Sequence, residues 1–350
     1  MIKRRKFIST TLSASAALTI PQKTFGTTKT SEHNKLLLPK QLKKGDTIGI
    51  IAPGYAITSE ILKNTIHTLK RMGFKTYNTN RILGNSGYFS NTDKERVDDL
   101  NEMFNNPNID GILCARGGYG CTRIMHLINY NLIKTNPKVL VGFSDITSLL
   151  NGIHKETGLV CFHGPVGSTL DDSYSIEKLE NIIINPKESF TIKNVILSNN
   201  KLKNNSEYER YTITEGAAVG RLSGGSLTLI NALIGTPHEI DFTNAIVCIE
   251  DVEEAPYRID RMLTQLIQGE TFKNAAGIVF GVFAGCDKPK TSKSFTLKEV
   301  IMDRIKPLGI PAVYGMSFGH IKNNFTFPIG IKAKLNTSTM SIQLLEKAVK

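Results

Sequence analysis

Hydrophobic and polar positions alternate along the first half of the chain so that strands and helices are predicted in turn. Short apolar runs typical of buried strands occur at 48–51, 109–114 and 139–141. Residues 58–72 carry apolar side chains at helical spacing, and Thr92 opens a second helical segment that Pro107 closes. The β-α-β-α-β order predicts an α/β fold with a mostly parallel sheet and helices on both faces, over residues 36–167.

The second half of the chain has a different pattern. Residues 168–211 are rich in Asn, Lys, Ser and Glu, and we predict a linker region with one helix near 175–183. Further strands are predicted at 245–249, 277–283 and 312–314, with alternating segments at 331–333 and 340–344. These elements predict a C-terminal mixed α/β domain over residues 212–350.

The first 30 residues fit neither domain. The pair Arg4-Arg5 precedes Phe7-Ile8, and a weakly apolar segment without acidic residues follows up to Pro21. This pattern is typical of a Tat-type export signal, and it fits export better than a disordered basic tail or a nucleic-acid-binding arm. We therefore predict export to the periplasm, with the cleavage site left open. Elsewhere no apolar stretch is long enough to span a bilayer, so we expect no stable membrane insertion after export.

Charge and cysteine content exclude several classes of function. The formal net charge is +12, and six of the basic residues lie in the predicted signal, which leaves +6. The remaining lysines are scattered and tryptophan is absent, which argues against nucleic-acid binding and favours a surface suited to anionic cell-wall material. The five cysteines lie mostly in or beside apolar runs and predict buried thiols with at most one disulfide. We expect no metal and no cofactor, because neither zinc-ligand spacing nor a nucleotide-binding glycine motif occurs.

The most informative motif is Gly-Phe-Ser-Asp at 142–145, directly after an apolar strand. A strand that ends in Gly-x-Ser lifts the Ser144 hydroxyl out of the sheet and places it beside free helix N–H groups, as a nucleophile requires. The alternative is a helix cap made by Ser144 or Asp145. A second glycine turn at 115–120 also follows a strand, and Gly117 and Gly118 can bring backbone N–H groups close to a substrate carbonyl.

A serine nucleophile needs a base and an orienting acid. The histidines are His33, His67, His126, His154, His163, His238 and His320. His320 stands out because it ends a glycine-bounded loop after a strand, where a side chain can project into a cleft. Glu250 closes the apolar strand predicted at 245–249 and is the candidate orienting acid. The alternative is an acidic residue that caps the following helix, a role that Asp251 could fill alone.

These motifs, taken in order, resemble the LD-carboxypeptidases, serine peptidases that remove the terminal D-alanine from murein tetrapeptides. The resemblance covers about Gly45 to Leu335. It rests on seven motifs in this order along the chain, at residues 115–120, 142–145, 163–165, 224–227, 235–237, 250–263 and 318–320. Ser226 departs from the pattern, since the family often has Asn there. The resemblance implies a catalytic triad of Ser144, Glu250 and His320, an oxyanion hole from the N–H groups of Asp145 and Gly117 or Gly118, and a homodimer.

Several alternatives remain beside this prediction. Arg116 is a candidate for binding the substrate's terminal carboxylate, and equally for bracing the glycine turn. A Ser-x-x-Lys acyltransferase motif at Ser175 and Lys178 lies in the polar linker, where its context opposes it. The microcin-C immunity branch of the same family, which cleaves aminoacyl-nucleotide analogues, is a closer rival. A wall-peptide-binding protein without catalysis is the remaining alternative.

Overall fold

The computed structural model describes residues 35–196, 205–287 and 293–350, and the predicted export signal lies outside these ranges. The strands of the described chain are β1 Thr47–Ile51, β2 Lys75–Tyr77, β3 Gly111–Cys114, β4 Val139–Gly142, β5 Phe162–His163, β6 Phe190–Ile192, β7 Tyr211–Thr214, β8 Ala217–Ser226, β9 Ala245–Glu250, β10 Gly277–Phe280, β11 Ala312–Tyr314, β12 Phe327–Pro328, β13 Lys332–Asn336 and β14 Ser341–Leu344. The α-helices are α1 Ser59–Arg71, α2 Asp93–Asn105, α3 Cys121–Ile124, α4 Tyr130–Thr135, α5 Ile146–Thr157, α6 Ser173–Ile183, α7 Leu227–Leu233, α8 Pro256–Gln268 and α9 Leu297–Ile305.

The first sheet is the predicted parallel sheet. Its strand order is β12-β5-β4-β3-β1-β2, and β1 to β5 run parallel while β12 is antiparallel at one edge. The hydroxyl of Thr58 accepts from the N–H of Ile61 at the start of α1, and Thr92 forms a capping box with Glu95 at the start of α2. Both predicted helices are therefore confirmed. Since β3 and β4 are neighbours, the glycine turn and the serine turn meet at one sheet edge.

The second sheet is mixed, with strand order β6-β14-β13-β8-β9-β10-β11-β7. Strands β8 to β11 are parallel, and the outer strands pair antiparallel. The predicted strand at 277–283 is shorter than expected and ends at Phe280, whereas the strand predicted at 245–249 continues to Glu250. All six residues of β9 are buried, so Glu250 enters the interior at the end of a hydrophobic strand.

Within the predicted linker, residues 168–196 and 205–211 contain more packed structure than their polar composition indicates. The apolar face of α6 buries Leu179, Ile182 and Ile183 against the core of the first sheet. Strand β6 pairs with β14, and β7 pairs with β11. The described parts of the predicted linker are therefore packed against the core, because their apolar residues are sparse but repeat on one helical face.

The chain also returns from the second sheet to the first, since β12 pairs with β5. Both sheets belong to one compact unit, Asn34–Lys350. The five cysteines, which all fall in the described ranges, are buried free thiols without a disulfide. Among the helices of the described ranges, none has the length and apolar character needed to cross a membrane.

Candidate active site

Ser144 lies on a sharp turn between β4 and α5. Its φ of 63° falls in the left-handed region, which is unusual for a residue other than glycine and is found at strained functional turns. The turn also requires Gly142, because a Cβ there would lie 2.7 Å from Cγ2 of Ile146. Phe143 and Asp145 are buried whereas Ser144 is partly exposed. The turn therefore presents the hydroxyl at the surface of the sheet edge.

The side chain of Asp145 does not cap α5, and this overturns the helix-cap interpretation. The helix begins with Asp145 at the cap position, but no side-chain hydrogen bond caps it. Instead the buried carboxylate accepts the N–H of Cys121 over 2.9 Å, beyond the glycine turn. Burial raises the pKa of Asp145 although that bond opposes the shift. Asp145 therefore connects the serine turn to the glycine turn.

The glycine turn approaches Ser144 more closely than any other residue type would allow. A Cβ at Gly117 would lie 2.8 Å from Cβ of Ser144, and one at Gly118, where φ is 107°, would meet the Tyr55 ring. In the part of the chain that the structure covers, the N–H groups of Gly117, Gly118 and Asp145 donate no hydrogen bond. These three donors remain available to a ligand beside the serine.

A buried arginine holds the glycine turn in place. The guanidinium of Arg96 donates to the carbonyl of Gly120 over 3.1 Å and also to the carbonyl of Pro53. Asp93 forms an ion pair with it at 2.5 Å. Sequence analysis missed Arg96, which follows three charged residues on α2 but occupies an inward-facing position.

Glu250, His320 and Ser144 form one chain of hydrogen bonds. His320 Nδ1 lies 2.7 Å from Oε2 of Glu250, and Nε2 lies 3.0 Å from Oγ of Ser144. Gly319 allows this contact, since a Cβ there would lie 3.0 Å from Cβ of Glu250. The structure thus brings together the three side chains that were predicted from separate strand ends.

His320 and Glu250 shift each other's pKa. Burial by itself lowers the pKa of His320, but the Glu250 carboxylate outweighs it, so the pKa lies above its usual value. Burial by itself raises the pKa of Glu250, but His320 outweighs it in turn, so the carboxyl pKa is lowered. The arrangement favours an imidazole that readily accepts a proton beside a carboxylate that stays ionised.

His163 is a second buried histidine beside Glu250, on β5. Its Nε2 lies 3.9 Å from Oε1 of Glu250, and its ring stacks on Phe327 with centroids 4.5 Å apart. Burial lowers the pKa of His163 to about 4, so the ring is neutral at physiological pH. The sequence showed His163 only as part of a His-Gly-Pro motif after a short apolar segment.

The remaining candidates are placed as follows. Arg116 is exposed and lies over the Tyr55 ring at 5.5 Å. It makes no hydrogen bond to the glycine turn within the described ranges, so the bracing role belongs to Arg96 and Asp145. Asp251 does not cap the helix that follows it; its carboxylate accepts from the N–H and hydroxyl of Thr228 at the start of α7.

The Ser-x-x-Lys alternative finds no support in the geometry. Ser175 is buried in α6, where its hydroxyl donates to Asp172 over 2.6 Å and accepts the N–H of Asn324. Lys178 pairs with Glu177 instead of Ser175. The hydroxyl and the amine are therefore both committed to structural contacts.

Comparisons with known proteins identify the family of this chain. A family model described as the LD-carboxypeptidase N-terminal domain matches residues 48–164, and the C-terminal domain model matches residues 219–335. A probable murein peptide carboxypeptidase of Bacillus subtilis is 38% identical over 86% of this chain and 92% of that protein. The murein tetrapeptide carboxypeptidase of Pseudomonas aeruginosa is 28% identical over 82% of this chain and 92% of that protein.

Solved structures give the same result. An MccF-like protein from Bacillus anthracis superposes with a TM-score of 0.77 at 28% identity, over 89% of this chain and 99% of that one. A muramoyltetrapeptide carboxypeptidase from Oxalobacter formigenes has a TM-score of 0.72 at 27% identity, over 85% of this chain and 97% of that one. With matching models for both halves and these relatives, the chain belongs to the LD-carboxypeptidase family.

Proposed function

We propose that this protein is a serine-type carboxypeptidase that hydrolyses the bond to the terminal D-alanine of murein tetrapeptides. The hydrogen-bonded chain from Glu250 through His320 to Ser144 is the observation that carries the proposal. The names of the relatives from B. subtilis and P. aeruginosa support the murein substrate.

Acylation uses the triad in the order of its hydrogen bonds. His320 Nε2 takes the proton of Ser144 as Oγ attacks the scissile carbonyl, and Glu250 holds the imidazole and stabilises its cation. When the tetrahedral intermediate collapses, His320 returns that proton to the leaving nitrogen and D-alanine departs. Water then attacks the acyl-enzyme ester with His320 as the base, which releases the tripeptide and regenerates Ser144.

Negative charge on the carbonyl oxygen is stabilised by the free backbone donors around Ser144. These are the N–H of Asp145 together with the N–H of Gly117 or Gly118, none of which donates to a described residue. Each such donor contributes about 3 kcal/mol when it is fixed in advance. Arg96 and Asp145 keep the two turns that carry these donors at a constant separation.

Mass spectrometry of purified tetrapeptide incubated with the protein tests this proposal. We expect loss of one alanine with the parent protein, and loss of activity by about a factor of 10⁴ or more with Ser144→Ala. An aminoacyl-nucleotide amide serves as the competing substrate. Preferential cleavage of that compound would favour the microcin-C immunity type of activity, and equal trimming by Ser144→Ala would exclude Ser144 as the nucleophile.

Export and assembly are separate proposals. We propose a Tat-type signal in residues 1–30, based on Arg4-Arg5 and the segment that follows. In cells, replacing both arginines by lysine should shift the protein from the periplasmic to the cytoplasmic fraction. The homodimer implied by the family resemblance is checked by light scattering of the mature protein.

A further inference from the structure

Three aromatic side chains, Tyr55, Tyr88 and Tyr119, form a surface beside the glycine turn that we call the tyrosine shelf. The centre of the Tyr88 ring lies 5.7 Å from the ring centres of both Tyr55 and Tyr119. Tyr88 is 55% exposed and Tyr119 is 46% exposed. Large apolar side chains that remain exposed next to one another are typical of a binding surface.

The shelf adjoins the turn that carries the oxyanion donors. A Cβ at Gly118 would lie 2.3 Å from Cγ of Tyr55, and the N–H of Tyr55 donates to the carbonyl of Gly117 over 3.1 Å. Tyr119 follows Gly118 directly in the chain. Because Gly117 packs against Ser144, a ligand bound at the nucleophile needs to extend only past the glycine turn to contact the shelf.

The shelf is held from below by the buried Arg96. The Arg96 guanidinium lies over the Phe89 ring, 4.5 Å from its centre. Phe89 in turn contacts two members of the shelf, with ring centres 4.4 Å from Tyr88 and 6.0 Å from Tyr119. The exposed rings are therefore fixed in advance, which lowers the entropy cost of binding a ligand.

Arg116 places a positive charge at the edge of the shelf. Its side chain is exposed, and the guanidinium carbon lies 5.5 Å from the centre of the Tyr55 ring. Within residues 35–196, 205–287 and 293–350, no carboxylate forms an ion pair with Arg116. Arg123 differs in this respect, since it lies over Phe89 at 5.1 Å but forms an ion pair with Asp93 at 2.8 Å. Arg116 is therefore the cation of this surface that an anionic ligand can neutralise.

The proposed function determines which part of the substrate reaches this surface. A carboxypeptidase releases one residue, so any part of the substrate that lies further than one residue from Ser144 belongs to the acyl side. The second residue of murein tetrapeptides is a glutamate linked through its side-chain carboxyl group, which leaves its α-carboxylate free. In an extended chain that carboxylate lies about 8 Å from the scissile carbonyl carbon. The Tyr55 ring, with the Arg116 guanidinium over it, extends from Gly118 over a comparable distance.

We propose that Arg116 binds this α-carboxylate while the tyrosine shelf packs against the acyl part of the peptide. A planar guanidinium forms two parallel hydrogen bonds to a carboxylate, and its position over Tyr55 reduces the side-chain freedom that binding removes. The terminal carboxylate belongs instead to the residue whose nitrogen His320 protonates. Arg116 then determines specificity, because it favours peptides with a free α-carboxylate over those in which this group is amidated.

The inference rests on the proposed function, and its test uses two tetrapeptides that differ only at the second residue. One carries the γ-linked glutamate, and the other carries the same residue with its α-carboxylate converted to a carboxamide. We expect the parent to prefer the acid, and Arg116→Gln to lower kcat/KM for the acid about 10-fold while changing that for the amide less than about twofold. The loss should appear mainly in KM, because this carboxylate is remote from the reacting bond. Arg116→Lys should retain part of the preference.

Arg123→Gln is the matched control for the charge. Arg123 also lies over an aromatic ring of this surface, but Asp93 already neutralises it, so the ratio of kcat/KM between acid and amide should stay at the parental value. Tyr88→Ala tests the shelf itself. It should raise KM for both peptides about threefold or more, because both lose the same aromatic contact.

Every other result counts against the inference. If the parent does not distinguish the two peptides, or if Arg116→Gln slows both equally, Arg116 does not bind the α-carboxylate. If Tyr88→Ala leaves both KM values unchanged, the shelf does not contact the peptide. A third tetrapeptide with a C-terminal carboxamide identifies a different role: if Arg116→Gln removes the discrimination against this peptide but keeps the preference for free glutamate, Arg116 binds the terminal carboxylate. If no peptide is cleaved in a Ser144-dependent way, the proposed function fails and this inference fails with it.

Discussion

His163 and Glu250 face each other in the interior, with Nε2 of the histidine 3.9 Å from Oε1 of the glutamate. Neither atom has a hydrogen-bond partner in the described ranges, although both side chains are fully buried. Buried polar atoms are normally paired, and those that are not often mark a functional requirement. The other oxygen of Glu250 already accepts from His320, so His163 is placed to stabilise the anionic glutamate from behind.

Replacing His163 by Phe should therefore change the basicity of His320. Phe keeps the stack on Phe327 but removes the N–H that faces Glu250, so the carboxylate attracts the His320 proton more strongly. We expect the acid limb of the kcat/KM profile to move to higher pH, by about half a unit to one unit. His163→Gln, which keeps a donor, should shift it less. A Phe variant with unchanged melting temperature and unchanged pH profile would contradict this role.

Arg96 should be essential for stability as well as for the shape of the site. Arg96→Met leaves the carbonyl of Pro53 without a donor, takes one of two donors from the carbonyl of Gly120, and removes one partner of Asp93. We expect the free energy of unfolding to fall by about 3 to 5 kcal/mol, measured by urea denaturation. Arg258→Met, at an exposed pair with Glu254, should change it by less than about 1 kcal/mol. If Arg96→Met also lowers the free energy of unfolding by less than about 1 kcal/mol, the buried guanidinium is dispensable for stability.

The triad was predictable because each member follows a strand. Ser144 lies just after β4 of the first sheet and Glu250 ends β9 of the second, and in each sheet the parallel strands bring their carboxyl ends to one edge. The choice of His320 as the third member of the triad depended on the glycines around it and on the family resemblance. The sequence had no means of showing the distances, which depend on how the two sheets pack.

The supporting residues escaped prediction for local reasons. Arg96 is one of many charged residues on α2, so its burial is not visible in the sequence. His163 lies on a strand of only two residues. Each of these side chains also depends on a partner far away in the chain, Gly120 for Arg96 and Glu250 for His163.

Gly117 should be intolerant of a side chain for reasons of catalysis and not of folding. In Gly117→Ala the new Cβ would lie 2.8 Å from Cβ and 3.1 Å from Oγ of Ser144, so the two turns must separate. We expect kcat to fall by about 10² to 10³, the loss typical of a displaced oxyanion donor. Gly309→Ala tests the general cost of such a change, because Gly309 has a φ of 66° and no atom within 4 Å of its Cβ position. That variant should lose stability but keep its kcat.

The raised pKa of His320 gives the activity a defined dependence on pH. Catalysis needs the neutral imidazole, so kcat/KM should increase as pH rises through the His320 pKa, which lies above its usual value of 6.5. The contribution of protonated His320 to the stability of the folded state decreases as pH rises, opposite to the activity. It is complete below the unfolded pKa and is lost as pH rises through the folded pKa. The lowered pKa of Glu250 adds stability that is lost as pH falls.

Glu250→Gln tests the origin of the raised pKa of His320. Without the Glu250 carboxylate, burial lowers this pKa by more than Asp251 and Glu253 raise it. The acid limb should move to lower pH, while kcat falls by about 10³ to 10⁴ as the imidazole loses its orienting carboxylate. Glu253→Gln is the matched control, since this exposed carboxylate also raises the pKa of His320, but less than Glu250 does. It should shift the acid limb slightly in the same direction and leave kcat within about twofold. If Glu250→Gln keeps the parental acid limb, the pKa of His320 is set by groups other than Glu250.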